Sequence, residues 1–112
     1  MEKTKTVFVE MFGDSPTIKV LDFFLTFGHF DYSKSQVASE TQISRITIEP
    51  IWNKLIEEKV LIKTRTVGRA EMYKLNEENP KAKELLDLNF KLSSAEADEQ
   101  IEGMKIPVIA RR

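Results

Sequence analysis

Apolar residues recur along this chain at two spacings, and the change from one to the other divides it into elements. From Pro16 to Phe27 the spacing is helical, with Ile18, Leu21 and Leu25 on one stripe and Val20, Phe23, Phe24 and Phe27 on another. A helix that is apolar on two sides is buried on two sides, and a second subunit is one candidate for the second cover. Asp14 or Ser15 can cap this helix, Pro16 suits its first turn, and Gly28 stops it. Ahead of it, Val7, Val9 and Met11 alternate with Phe8, Glu10 and Phe12, which predicts a short strand or an extended arm.

Beyond the connector Phe30-Asp31-Tyr32, Ser33-Lys34-Ser35-Gln36 matches a capping box. The short helix it opens turns Val37 and Ala38 inward and ends near Thr41, with Ile43 as an apolar plug in the turn that follows. The next helix runs to about Lys59 and carries Ile48, Ile51, Trp52, Leu55 and Ile56 on one face. Pro50 is awkward there, because a proline in a helix interior costs about 3 kcal/mol. With Thr47 rather than Ser44 as the cap, Pro50 would fall near the first turn, so an irregular or kinked start between Ser44 and Thr47 is expected.

The spacing then changes to two. Val60 to Thr66 and Ala70 to Leu75 alternate and are rich in β-branched residues, and Val67-Gly68-Arg69 between them predicts a hairpin with a basic tip. Asn79-Pro80 opens a last helix with a Leu85, Leu88 and Leu92 stripe and with Leu86 and Phe90 beside it. Ser93 with Glu96 suggests a break and restart, Gly103 the end, and residues 104–112 a tail. The expected organisation is an N-terminal arm or strand (1–13), a compact domain (14–78), a C-terminal helix suited to dimerisation (79–103) and the tail.

Charge changes the picture through its distribution. The net charge is only −1. Residues 41–75 nevertheless hold seven Lys and Arg against four Asp and Glu, whereas residues 76–103 hold three against eight. The middle of the chain can face phosphate and the C-terminal part cannot easily do so. The chain has no cysteine, which excludes disulfides, thiolate metal sites and thiol nucleophiles. One histidine cannot build a metal site, so His29 reads as a connector residue. Glu57-Glu58 and Asp98-Glu99 are adjacent on helices, so their carboxylates diverge into solvent instead of forming an acid/base pair. No phosphate loop, nucleophile motif or metal spacing is present. No enzyme activity and no cofactor are expected, and with neither a signal-like nor a membrane-spanning stretch a cytoplasmic location is.

The segment Val37-Ala38-Ser39-Glu40-Thr41-Gln42-Ile43-Ser44-Arg45-Ile46-Thr47, the junction Leu55 to Lys63, the hairpin Thr66 to Leu75 and Asn79-Pro80 together resemble archaeal winged helix-turn-helix transcriptional regulators over about Asp14 to Leu92. The resemblance implies an α+β, mainly α fold: a three-helix core with a β-hairpin wing, plus the C-terminal helix. It also implies a homodimer that binds double-stranded DNA sequence-specifically. Two positions depart from the pattern, Gln42 where such turns often hold glycine, and Pro50.

On that reading Ser44 and Thr47 meet phosphate at the helix N-terminus, and Arg45 reads guanine or holds phosphate. Glu49 accepts from cytosine, Asn53 pairs with adenine, and Lys54 completes the polar face. From the hairpin, Lys63, Arg65 and Arg69 converge on a tip that Gly68 lets turn, and Arg69 enters the minor groove or clamps the backbone. The bland counterparts are a solvated helix face and a hairpin charged against edge pairing. Two alternatives stand beside the regulator. The same fold can be a protein–protein interaction module, docking through its acidic C-terminal helix. It can bind DNA non-specifically in the manner of chromatin proteins, against which the acidic C-terminal half speaks. A small-molecule effector is not legible.

Overall fold

Each helix begins at a side chain that can replace a missing backbone partner. A computed structural model describes residues 5–104, with side chains as far as Asp98. The elements in chain order are α1 (Val7–Phe12), α2 (Pro16–Phe27), α3 (Lys34–Thr41), α4 (Arg45–Glu57), β1 (Leu61–Val67), β2 (Ala70–Leu75) and α5 (Pro80–Met104). Ser15 caps α2 by accepting the Ile18 N–H. Ser33 and Gln36 complete the expected capping box of α3. Asn79 caps α5 by accepting the N–H groups of Lys81 and Ala82. The result is a mostly helical α+β fold with one two-stranded antiparallel hairpin and a long C-terminal helix.

The core is where the stripes of α2, α3 and α4 meet β2 and the start of α5. Val20, Phe24, Val37, Ile48, Leu75 and Ala82 are almost wholly out of contact with solvent. Trp52 lies between two aromatic partners, its ring centroid 5.8 Å from that of Phe24 and 5.7 Å from that of Tyr73. Gly28 matters here through its size. It is buried in an ordinary right-handed conformation, and a Cβ on it would clash with the Phe24 carbonyl oxygen and stand 2.9 Å from the Cβ of Leu75 on β2. The glycine therefore lets the end of α2 lie directly on the hairpin.

Four expectations need correction. The segment before α2 is a helix and not a strand or arm. Val7, Phe8, Met11 and Phe12 fit helical spacing as well as alternation does, and six residues with no partner strand satisfy their backbone better by coiling. Thr6 caps α1 by accepting the Val9 N–H, and its hydroxyl donates to Asp22 of α2 at 2.7 Å. Phe8 and Val9 are buried as α1 packs on α2 and α5, so much of the cover for the second face of α2 comes from within the chain. Next, α4 starts regularly at Ser44, which accepts the Thr47 N–H at 3.1 Å, and Pro50 sits inside it. The one helical bond Pro50 deletes would have gone to the carbonyl of Ile46. Ile46 is highly exposed, so water can serve that carbonyl and the cost falls.

The third correction concerns α5, which runs through Ser93 without a break and past Gly103 to Met104. No proline or glycine lies between Pro80 and Gly103 to interrupt it. At 25 residues and 1.5 Å of rise per residue it is about 37 Å long. The last concerns Glu58, which is a fastener and not a freely solvated charge. It pairs with Lys54 one turn earlier and with Lys81 of α5, and both cations hold its carboxyl below the usual range, Lys81 more strongly. His29 is exposed, 3.5 Å from Glu77. Residues 105–112, the expected tail, lie outside the described residues. No described helix is long and apolar enough to cross a membrane.

Candidate nucleic-acid interface

Three residues, Gln42, Ile43 and Ser44, take the chain from α3 into α4. Gln42 adopts the left-handed conformation (φ 60°) that glycine usually supplies, so the turn has the expected shape without the expected residue. The Ile43 N–H bonds to the Ala38 carbonyl and the Gln42 N–H to the Ser39 carbonyl, which closes α3. Ile43 and Ala38 are both buried, so α4 leaves the turn at a direction set by packing. The same device recurs at the end of α4. Lys59 is left-handed (φ 62°), and Val60 and Lys59 donate to Leu55 and Ile56. Asn76 bonds the Lys59 carbonyl from across the hairpin at 3.0 Å.

The outward face of α4 holds the first group of candidates. Ser44, Arg45, Thr47, Glu49, Asn53 and Lys54 are all exposed. Ser44 spends its hydroxyl internally, accepting from the Thr47 N–H and donating to the Thr47 hydroxyl at 3.0 Å. The Thr47 hydroxyl and the first N–H groups of the helix remain for an outside acceptor. No ion pair engages Arg45 among the described residues. Glu49 is answered by Lys34 at the start of α3 and reached by Asn53 at 3.4 Å, and Lys34 draws its carboxyl below the ordinary range. Lys54 is turned to Glu58 at 3.4 Å, toward the far end of the helix.

At 3.6 residues per turn the middle of this face is Ile46, Pro50 and Asn53. Arg45 and Glu49 flank it on one side and Thr47 and Lys54 on the other. Sequence reasoning left out Ile46, Pro50 and Lys34. Ile46 lies two residues before Ile48, which puts it opposite the buried stripe, so its spacing was a usable signal. Lys34 had none, because only the fold brings it to Glu49.

In the hairpin, the three cations do not converge on the tip. Lys63 lies opposite Tyr73, well down the ladder, 3.7 Å from Glu71. Arg65 is clamped by Asp31 of the α2–α3 connector, with Nε and Nη2 donating to its two carboxylate oxygens at 2.9 and 3.1 Å. A register irregularity between Lys63 and Arg65 sets Thr64 apart, and its hydroxyl donates to the same Asp31 at 2.5 Å. These bonds, Arg65 first and Thr64 second, pull the Asp31 carboxyl down to about 2. The connector is also joined to the hairpin by a pair of backbone bonds between Tyr32 and Tyr73, a one-residue third strand that sequence reasoning missed. Gly68 turns the chain at φ 64° while Arg69 keeps a negative φ, the pattern of a type II′ turn. Arg69 alone of the three is at the tip, and no ion pair engages it among the described residues.

The chain matches no protein-family model, no curated protein and no solved structure.

Proposed function

We propose that this protein is a sequence-specific double-stranded DNA-binding transcriptional regulator of the winged helix-turn-helix type, acting as a homodimer, with no catalytic step and no cofactor. One observation carries the reading. Helix α4 is seated on α3 through a tight turn anchored by buried Ile43, and its N-terminal end is exposed, with an unengaged Arg45 beside Thr47. A helix presented end-first in this way suits the major groove, where base edges are read from its first turns. In this reading Arg45 contacts a guanine or a phosphate, and Thr47 with the first-turn N–H groups contacts phosphate. Arg69 reaches the backbone or minor groove from the tip of the wing. Lys63 and Arg65 act differently, by fastening the wing to the body.

Support for a second copy comes from α1 and α5, which pack on one another yet expose Met11 and Phe12 on one and Leu88 and Phe90 on the other, Phe90 to 70%. Two copies would place two α4 helices in successive major grooves, about 10 base pairs apart. The test is retention of random-sequence duplex DNA by the purified chain over a salt titration, with sequencing of what is retained and sedimentation of the free protein. Steep loss of retention with salt and enrichment of a pseudo-palindrome support the proposal. Absence of retention at low salt overturns it in favour of a protein-interaction module.

A further inference from the structure

The most exposed large apolar side chain among the described residues is Ile46, 85% open to solvent, in the first turn of α4. It has no part in the core, which this helix supplies through Ile48, Trp52 and Leu55. Its companion one turn on, Pro50, is also exposed and carries no polar group. Over the first turns of α4 the centre of the face is therefore apolar, with Asn53 following further along it, and hydrogen-bonding groups lie to either side: Arg45 and the Lys34-bound Glu49 on one, Thr47 on the other.

An isoleucine held at the middle of such a face is placed to meet an apolar group on a partner surface. In the major groove one apolar group distinguishes the base pairs, the C5-methyl of thymine. Ile46 is β-branched and therefore stiff at χ1 in a helix, which limits the entropy lost on contact. Pro50 helps to present it. The proline removes the N–H that would have bonded the Ile46 carbonyl, and its rigid ring covers the position one turn further along the same face. Cytosine lacks the methyl, so an isoleucine loses its apolar contact there.

We infer that Ile46 is a specificity-determining residue that reads the 5-methyl group of a thymine in each half-site. The inference rests on the DNA-binding reading above and adds to it a base and an atom. Its test uses the full chain and the best duplex from the selection. Each thymine is replaced in turn by deoxyuridine, which removes one methyl group and preserves pairing, and affinities are measured for the parent and for Ile46→Ala. In the parent, one deoxyuridine position per half-site is expected to weaken binding about fourfold, the equivalent of one buried CH₂ group. Ile46→Ala is expected to be insensitive at that position, and as a surface change to fold normally by circular dichroism. Equal sensitivity of parent and variant at every position overturns the inference and leaves DNA binding intact. A parent that retains no duplex overturns the DNA-binding reading and the inference with it.

Discussion

The start of α4 and the β-hairpin both set cations beside small polar residues in the sequence, Arg45 in the first and Lys63, Arg65 and Arg69 in the second, yet the fold uses their charges differently. Around α4 the charge that is answered is the acidic one: Lys34 meets Glu49, and Arg45 is left unengaged. In the hairpin the answered charges are basic, since Asp31 holds Arg65 and Glu71 lies by Lys63. One surface leaves its cation unengaged among the described residues, and the other uses two of its three candidate cations to hold its own position. A count of positive residues therefore overstates what the hairpin can offer to phosphate. The two regions share one feature, that each is entered through a left-handed residue that is not glycine, Gln42 before α4 and Lys59 before β1.

The comparison can be broken most severely at Gly28, which seats the hairpin on α2. Gly28→Ala is expected to clash with the Phe24 carbonyl and with Leu75 and to destabilise the fold by about 1–3 kcal/mol, read as a lower midpoint in urea unfolding with an unchanged slope. Next comes the division of labour among the arginines. Arg45→Ala should cost about 1–3 kcal/mol of DNA affinity and relax base preference if it contacts a base. Arg69→Ala should weaken all sequences alike and lower the salt slope by about 1. Arg65→Ala should affect thermal stability more than the salt slope. Equal effects of all three on the slope would erase the distinction between α4 and the hairpin.

Asp31 sharpens it further. Its carboxyl titrates at about 2 in the folded chain and at about 3.9 when unfolded. The stability it contributes is thus fully present above the unfolded value and is lost as the pH falls through about 2. Melting temperatures of the parent and Asp31→Asn should differ by a constant amount at neutral pH and converge between about pH 4 and pH 2. At neutral pH the same variant frees Arg65 and should bind random duplex DNA more tightly than the parent. The smallest effects are expected at the entry turns. Gln42→Gly and Lys59→Gly should each stabilise by about 1 kcal/mol by relieving left-handed strain, seen as a small upward shift in melting temperature.

Much of the fold was legible because it is written in local signals. Ser15, Ser33 and Asn79 start helices where their hydroxyl or amide groups sit in the sequence, and the stripe of Ile48, Trp52 and Leu55 marks the buried side of α4 at its own spacing. The hairpin followed from alternation and Gly68. The segment Val7–Phe12 misled because an apolar run of six fits both periods, and what makes it a helix is the contact of Phe8 and Val9 with other elements. Gln42 and Pro50 argued for irregularity on intrinsic preference. Buried Ile43 and Ala38 outweighed the first, and the exposure of Ile46 softened the second.

The sequence by itself determined where helices begin, which of their faces turn inward, where the hairpin turns and which residues bear charge. Those properties depend on neighbours within a turn of helix or a few residues of strand. The tertiary structure alone decided which charges remain available. The pairs Lys34–Glu49, Asp31–Arg65 and Glu58–Lys81 span 15, 34 and 23 positions in the chain. A charge at the surface of a folded protein is cancelled by whatever the fold brings within a few ångströms, at whatever separation along the chain.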